Sequence, residues 1–277
     1  MRKAILWILA FLITVGMAVY QRLTGPTYPV GDSFDQKGMH ISYKFTRSHG
    51  GEGDQEVSFN VTPSAGVSAT LYHNRYPTDE PFVESTMLQK DNNFVAFLPH
   101  QPPAGKLAYF IMIQTESGES IRLPEDRNIV TRFKGDVPVY WLLPHVIIMF
   151  VALLLAVRAG IGLIFKEDVK KLVIMGFWFL LVGGMILGPI VQKFAFDAYW
   201  TGVPFGYDLT DNKTLIAFAF WGLAFFLVMR KKSYQWATAL AVLVMLAVYL
   251  IPHSVWGSEF DYAKGEVVNG NPASRNP

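Results

Sequence analysis

Hydrophobic residues in this chain form long unbroken runs, separated by one long stretch in which apolar and polar residues alternate. A helix that crosses the hydrocarbon of a bilayer needs about 20 mostly apolar residues. Runs that reach or approach this length extend over roughly Ala4–Tyr20, Trp141–Phe165, Leu172–Val191, Leu215–Met229 and Tyr234–Ile251. The fourth run is short and gains a turn if its helix includes residues 211–214. The pattern predicts a membrane α-helical bundle of about five transmembrane helices.

The first apolar run allows two interpretations. Its length is that of a signal peptide, and Gly16-Met17-Ala18 resembles a small-x-small cleavage site. The run nevertheless continues unbroken to Tyr20, which favours a retained anchor. We therefore assign residues 1–22 to an N-terminal transmembrane anchor, with a signal peptide as the alternative.

Basic residues cluster in the short segments that flank the apolar runs. The clusters consist of Arg2 and Lys3, then Arg158, Lys166, Lys170 and Lys171, then Arg230, Lys231 and Lys232. Lys and Arg in short loops are concentrated on the cytoplasmic side, and five spans with the N-terminus inside and the C-terminus outside place all three clusters on that side. The N-terminus is therefore predicted to be cytoplasmic, with residues 21–140, 192–213 and 253–277 outside. Arg158 is expected to snorkel to the cytoplasmic interface.

Residues from about 36 to 135 alternate with period two, which is typical of half-buried strands. The clearest example is Met39, Ile41, Tyr43 and Phe45, which are separated by polar residues. Further candidate strands are Val57–Val61, Val67–Tyr72, Phe82–Leu88, Phe94–Leu98, Leu107–Gln114, Ser120–Leu123 and Asn128–Phe133. Seven or eight short strands with turn-rich connections predict an all-β sandwich inserted after the first helix.

One segment of the alternating stretch resembles a known class of module. Residues 98–107, followed by Tyr109, look like the approach to a late strand in immunoglobulin-like and fibronectin-type-III-like modules. The resemblance implies an Ig/Fn3-like sandwich for residues 23–138. The remainder is then a four-helix transmembrane region at 139–253 and an extracytoplasmic tail at 254–277. Such a fold does not by itself determine function.

Four other segments together resemble a bacterial inner-membrane protein family without an assigned activity. They are Tyr20–Pro29, Trp200–Gly206, Asp208–Thr214 and Pro252–Ser254. The resemblance implies a multi-pass protein of the bacterial inner (cytoplasmic) membrane whose β domain and C-terminus are periplasmic. It implies no activity.

The composition disfavours several functional classes. The chain has no cysteine, which excludes disulfides, thiolate metal sites and covalently attached c-type haem. A net charge of +2, without a basic patch interleaved with aromatics, does not suggest a nucleic-acid partner. Charges are nearly absent from the middle of each apolar run, which disfavours an ion-coupled transporter. Common nucleotide, hydrolase and metalloprotease motifs are missing, so an enzyme is the less favoured class.

The outer loop 192–213 is the densest candidate site. Its candidate outer pocket consists of Trp200, Phe205, Tyr207 and Asp208. The loop is similar to the tryptophan-rich outer segments of haem-handling proteins in cytochrome c assembly, although only Tyr207-Asp208 stands where those carry Trp-x-Trp-Asp. The alternative is an interfacial aromatic belt, with Thr210 or Asp211 as the cap of the fourth helix.

Two pairs of residues in the helical region suggest further roles. His145 opens the second run and His253 follows the fifth, so both lie near the predicted outer face, where two imidazoles could bind a b-type haem or a metal ion. The alternative is that they are hydrogen-bonded interface residues. Gly184 and Gly188 form a small-xxx-small pair, which predicts close helix packing within the bundle, with a kink in a lipid-facing helix as the alternative.

Three functional hypotheses follow, in order of preference. The first is a non-enzymatic accessory or scaffold protein in the lipid bilayer, with a β domain that binds a protein partner. The second is a haem- or metal-binding redox protein that uses His145, His253 and the loop 192–213. The third is a transporter, which the scarcity of intramembrane charge disfavours.

Overall fold

The structure is a computed structural model that describes residues 1–252, 255 and 257–268. Within these residues the chain divides into a helical unit, Met1–Pro26 with Val137–Ser258, and a β unit, Thr27–Asp136 with Glu259–Val268. The described chain therefore passes between the units after Pro26, after Asp136 and after Ser258.

Each predicted apolar run forms a helix in the helical unit. The helices are α1 (Arg2–Thr24), α2 (Val139–Ile164), α3 (Lys170–Leu180), α4 (Gly188–Phe196), α5 (Leu209–Met229) and α6 (Gln235–Leu250). A π-helical segment, Leu181–Leu187, joins α3 and α4 into one continuous helix. Among the described residues, α1, α2, the joined α3–α4 and α5 are long and apolar enough to cross a membrane, whereas α6 has 16 residues.

Small residues let the helices approach one another closely. The buried residues of α1 are spaced four apart and so lie on one face: Leu6, Ala10 and Thr14. A Cβ added at Gly176 of α3 would lie 2.9 Å from the ring of the buried Trp221 of α5. A Cβ added at Gly160 of α2 would lie 2.8 Å from Val242 of α6. Contacts this close fix the relative positions of the helices because interiors are densely packed.

The β unit forms a sandwich-like arrangement of strands. The strands are β1 (Val30–Gln36), β2 (Met39–Phe45), β3 (Ser48–Gly50), β4 (Gln55–Thr62), β5 (Val67–Arg75), β6 (Val83–Thr86), β7 (Leu88–Lys90), β8 (Asn93–Leu98), β9 (Lys106–Thr115), β10 (Ser120–Leu123) and β11 (Ile129–Lys134). One sheet has the order β1-β2-β4-β8-β7, and the other has the order β3-β11-β9-β5-β6, with β10 paired to β9. Both sheets contribute side chains to one hydrophobic cluster. The predicted β-sandwich is confirmed at this level.

The alternating residues form the core between the sheets. Phe59 of β4 and Phe94 of β8 stack with ring centroids 5.1 Å apart. Phe45 of β2 meets Tyr109 of β9 edge to face at 5.9 Å, which joins the two sheets. Aromatic pairs in these geometries stabilise a core beyond the apolar area that they bury.

A short hairpin after the helical unit belongs to the β unit. It consists of β12 (Glu259–Asp261) and β13 (Glu266–Val268). Glu259 forms a mostly buried ion pair with Lys106 at 2.5 Å. The Tyr262 hydroxyl accepts the Lys106 backbone N–H at 3.0 Å and donates to the Lys106 carbonyl at 2.9 Å. Part of the segment predicted as a tail is therefore an ordered piece of the β unit.

Candidate functional site

The N-terminus of α5 is capped by Asp208, a buried residue of the predicted outer pocket. Its Oδ1 accepts the backbone N–H groups of Thr210 at 2.8 Å and Asp211 at 3.4 Å. Its Oδ2 accepts the N–H of Ser258 at 2.9 Å and its hydroxyl at 3.0 Å. The prediction that Thr210 or Asp211 caps this helix is wrong, because the helix begins at Leu209 and the residue before it provides the cap.

Asp211 forms the centre of a buried polar network in the first turn of α5. Its Oδ2 accepts the backbone N–H groups of Thr201 at 2.6 Å and Gly202 at 3.0 Å. Gln192 of α4 donates to the same oxygen at 3.1 Å and to the Thr201 hydroxyl at 2.7 Å. The Thr201 and Ser258 hydroxyls lie 2.9 Å apart. Protein donors thus surround Asp211 Oδ2, and the network attaches the loop after α4 to α5.

A buried lysine one turn into α5 caps a different helix. The Lys213 ammonium donates to the carbonyl of Ile251 at 2.7 Å. Gln21 of α1 donates to the Tyr249 carbonyl at 3.1 Å. The last carbonyls of a helix lack partners within it, and cationic or amide groups satisfy them. Lys213 and Gln21 were missed in the sequence because their partners are backbone carbonyls about 40 or more residues away in sequence.

The aromatic residues of the predicted outer pocket differ from Asp208 in exposure. Phe205 and Tyr207 are 75% and 68% exposed, whereas Asp208 is buried. The Trp200 indole N–H donates to the Val203 carbonyl of its own loop at 3.0 Å. Phe205 and Tyr207 therefore point outward and Trp200 is half-buried, while Asp208 caps the helix.

His145 of α2 bonds to the π-helical segment. Its Nδ1 lies 3.0 Å from the carbonyl of Gly183, and since a carbonyl only accepts, Nδ1 carries the proton. This leaves Nε2 as the nitrogen with a free lone pair. His253, the other predicted ligand, lies outside the described residues. Within the described residues no group of three or more His, Asp or Glu side chains is arranged to hold a metal ion.

The glycines of the π-helical segment and the first residue of α4, Gly188, differ in how closely they are packed. A Cβ at Gly183 would lie 2.9 Å from Ile148 of α2, and one at Gly184 would lie 2.9 Å from Thr214 of α5. A Cβ at Gly188 would meet nothing nearer than 3.5 Å. Gly184 therefore mediates close packing inside the helical unit, whereas the space at Gly188 is ordinary.

Arg158 of α2, for which the sequence predicts snorkelling to the cytoplasmic interface, is buried and extends to Glu167, beyond the end of its helix. It is 4% exposed, and its Nη2 donates to Glu167 Oε2 at 2.6 Å. The guanidinium lies 5.5 Å from the Trp7 ring. A Cβ at Gly162 would lie 3.1 Å from Nη1, so the glycine leaves room for the cation. The hydrogen bond from Arg158 lowers the pKa of Glu167, which follows the end of α2.

The β unit has a groove of about 720 Å³ between strand β1 and the segment 120–127. Val30, Phe34 and Tyr43 provide apolar surface and pack partly against the core. Burial, together with the nearby Asp32, raises the pKa of the Tyr43 hydroxyl. The groove volume is within the range of about 300–1,000 Å³ that is usual for ligand sites.

Carboxylates predominate along this groove. The acidic lining residues are Asp32, Asp35, Glu125 and Asp126, and the basic ones are Arg122 and Arg127. Four carboxylates against two guanidinium groups leave a formal charge of −2. Arg122 is moreover occupied, because its guanidinium donates to the Pro124 carbonyl, to the Arg127 carbonyl at 2.9 Å and to Asn128 Oδ1 at 2.5 Å. The lining of the groove therefore has a net negative formal charge.

Comparisons with known proteins provide little further information. No family model and no curated protein matches the chain. Among solved structures, one titled "Crystal structure of Br derivative BhCBM56" aligns with 37% of this chain and 99% of its own, at 12% identity and a TM-score of 0.25. A similarity of this strength assigns neither fold nor function.

Proposed function

We propose that the protein is an accessory or scaffold component of the bacterial inner membrane whose β unit binds a protein partner on the periplasmic side. The observation that carries this proposal is the acidic groove of the β unit, which lies beside the edge strand β1. Exposed strand edges and concave grooves are the surfaces that recognition domains use to bind polypeptides.

The hairpin β12–β13 supports a topology with an odd number of crossings. Because this hairpin is part of the β unit, residues 27–136 and 259–268 lie on the same side of a bilayer. In the proposed topology the chain between Asp136 and Glu259 then crosses an even number of times. The candidate spans α2, the joined α3–α4 and α5 are three, so the proposal takes α6 as the fourth crossing. With α1 added, the basic clusters face the cytoplasm and the β unit faces the periplasm.

The surface of the helical unit supports insertion in lipid. Large apolar side chains point outward on several helices, including Leu12 of α1, Val146 of α2 and Leu243 of α6. Soluble monomers rarely expose wide apolar patches, whereas lipid tails solvate such surfaces. The 16 residues of α6 span about 24 Å, and local thinning of the bilayer accommodates a helix of this length.

The strand order supports an immunoglobulin-like assignment for the β unit. The order β2-β4-β8-β7 matches the A-B-E-D sheet of immunoglobulin domains, and β11-β9-β5-β6 matches G-F-C with an added C′ strand. On this assignment β1 is an additional edge strand next to the A position.

The exposure of the groove carboxylates supports binding rather than catalysis. The side chains of Asp35 and Asp126 are 85% and 76% exposed. Exposed charges attract and orient a charged partner, whereas catalytic carboxylates are usually tuned by burial.

Site-specific crosslinking tests this proposal. A photo-crosslinking amino acid at Glu125, on the groove, is compared with one at Glu56, an exposed position in the central strand β4. In the native membrane we expect a discrete protein adduct from position 125 and none from position 56. Identical adducts at both positions, or no adduct at either, would contradict the proposal.

The haem- or metal-binding alternative rests on His145. An imidazole whose Nδ1–H bonds to a carbonyl is oriented to present Nε2 to a ligand. The absorption spectrum of the protein purified from its native membrane tests this alternative: a Soret band that disappears in His145→Ala supports it, and a featureless spectrum rejects it for haem.

A further inference from the structure

Strand β1 has an edge that can accept another strand. Among the described strands it pairs with β2 alone, through a turn in which Lys37 and Gly38 have φ values of 53° and 78°. Two-residue hairpins of this kind have a hydrogen-bonded pair beside the turn, here Gln36 and Met39, and bonded pairs alternate along the strand. The backbone groups of the intervening residues therefore point away from β2; these residues are Gly31, Ser33 and Asp35.

We propose that the groove binds an extended, Lys- or Arg-rich segment of the partner protein, which adds to the sheet as a strand beside β1. This inference rests on the proposed function and specifies the chemical class of the partner.

The dimensions of the site suit an extended segment. Strand β1 has seven residues and so extends about 23 Å. The groove follows this strand from Val30 to Gln36. Val30 and Phe34 are four residues apart in the strand and therefore lie on the same face. They form an apolar surface for alternate side chains of an added strand.

The charge of the groove selects among possible occupants. Its four carboxylates and two guanidinium groups favour a cationic segment. A second copy of β1 is disfavoured because it would bring Asp32 and Asp35 of one copy close to the same carboxylates of the other, and like charges on adjacent strands destabilise a sheet. Charged edge residues discourage self-association in this way. An oppositely charged partner strand meets no such repulsion.

Asp32 occupies one of the positions that an added strand would use. Its Oδ1 accepts the backbone N–H of Ser33 at 2.8 Å. A carbonyl of the incoming strand would replace this acceptor and release the carboxylate to pair with a Lys or Arg. Because the Asp32–Ser33 bond is exposed to solvent, this exchange replaces one hydrogen bond by another of similar strength.

Peptide binding to the full-length protein in nanodiscs of neutral lipid tests the proposal. The probe is a labelled nine-residue peptide of alternating Lys and Thr, followed by fluorescence anisotropy. We expect saturable binding that weakens with salt, and no binding of the matching Glu–Thr peptide. N-methylation of one set of alternate residues should abolish binding because those N–H groups face β1, whereas N-methylation of the other set should be tolerated.

Variants of the groove provide the second arm of the test. The double variant Asp32→Asn and Asp126→Asn should bind the Lys–Thr peptide about tenfold more weakly, since two exposed charge pairs are lost. The matched control Glu56→Gln and Glu84→Gln should bind normally, because these exposed residues lie outside the groove. Thermal unfolding of each variant checks that the β unit remains folded.

Several outcomes would overturn the inference. Equal binding of both N-methylated peptides would show attraction by charge without strand addition. Complete competition by a simple diamine would show a site for a small cation. A crosslinked partner at Glu125 without binding of the Lys–Thr peptide would leave the proposed function standing and reject this inference, whereas failure of both would reject both.

Discussion

The Asp211 carboxylate binds Thr201 twice, through the backbone N–H at 2.6 Å and the hydroxyl at 3.1 Å. Both residues are buried, and ten positions separate them in the sequence. This contact brings the loop after α4 back to the first turn of α5. The Asp211 carboxylate is therefore one of the groups that hold this loop on α5.

Replacing Asp211 should destabilise the helical unit. In Asp211→Ala the buried N–H groups of Thr201 and Gly202 lose their acceptor, and each unsatisfied group costs about 1–3 kcal/mol. The measurement is the thermal unfolding midpoint in detergent. The control Asp197→Ala removes an exposed carboxylate paired with Lys193 and should change stability by less than about 1 kcal/mol. Equal midpoints for the two variants would contradict the structural role of Asp211.

The pair Arg158–Glu167 should make stability depend on acid pH. The hydrogen bond from Arg158 lowers the pKa of Glu167 from its ordinary value of 4.5. The resulting stabilisation is complete above pH 4.5 and is lost as the pH falls through the lowered value of the folded protein. Glu167→Gln should therefore unfold at a lower temperature than the wild type at pH 7, and this difference should shrink as the pH falls through the lowered pKa of the folded protein. A difference in unfolding temperature that does not shrink with falling pH would refute the assignment.

The topology can be tested with reporter fusions. A reporter after Lys231 should be cytoplasmic, and one after Pro277 should be periplasmic, because the proposed topology has the basic clusters in the cytoplasm and the hairpin β12–β13 belongs to the β unit. Alkaline phosphatase and green fluorescent protein fusions give complementary readouts of these positions. A cytoplasmic C-terminus would reject the crossing of α6.

The core of the β unit should be sensitive to charge on one face of β8. Phe94 is 1% exposed and stacks on Phe59, whereas Phe97 of the same strand is 51% exposed. Phe94→Asp buries an unpaired carboxylate at a cost of several kcal/mol, which is comparable with the usual stability of about 5–15 kcal/mol. Circular dichroism should report loss of strand signal in Phe94→Asp and a native spectrum in Phe97→Asp. A folded Phe94→Asp protein would contradict this core assignment.

The sequence identifies the strands in which buried and exposed residues alternate, and it misses the strands without this alternation. Strands β2, β4 and β8 alternate regularly because one face of each is buried. Strand β1 does not alternate clearly, because only Val30 and Phe34 are partly buried within it. Strands β12 and β13 have three residues each, which is too short to show an alternation of apolar and polar residues. They are stabilised by contacts such as Lys106–Glu259.

The polar network around Asp208 and Asp211 could be predicted only in part from the sequence. Asp208 was recognised as a candidate, and the helix start was predicted close to its actual position. The roles of Asp208 and Asp211 could not be separated, because two Asp residues three positions apart at a helix start are both plausible caps. The partners of Asp211 are mainly backbone N–H groups, which every residue except proline has, so residue types give no signal for them.

The π-helical segment sets the rotational phase of everything that follows it in the same helix. The N–H of Gly188 bonds to the carbonyl of Gly183, five residues earlier, so this turn holds one residue more than an α-helical turn. Each residue advances an α-helix by about 100°. A regular α-helix of the same sequence would turn Gln192 by about that angle, away from Thr201 and Asp211, whereas the π-helical turn takes up the extra residue. The extra residue in the π-helical turn thus gives α4 the orientation in which Gln192 faces the first turn of α5.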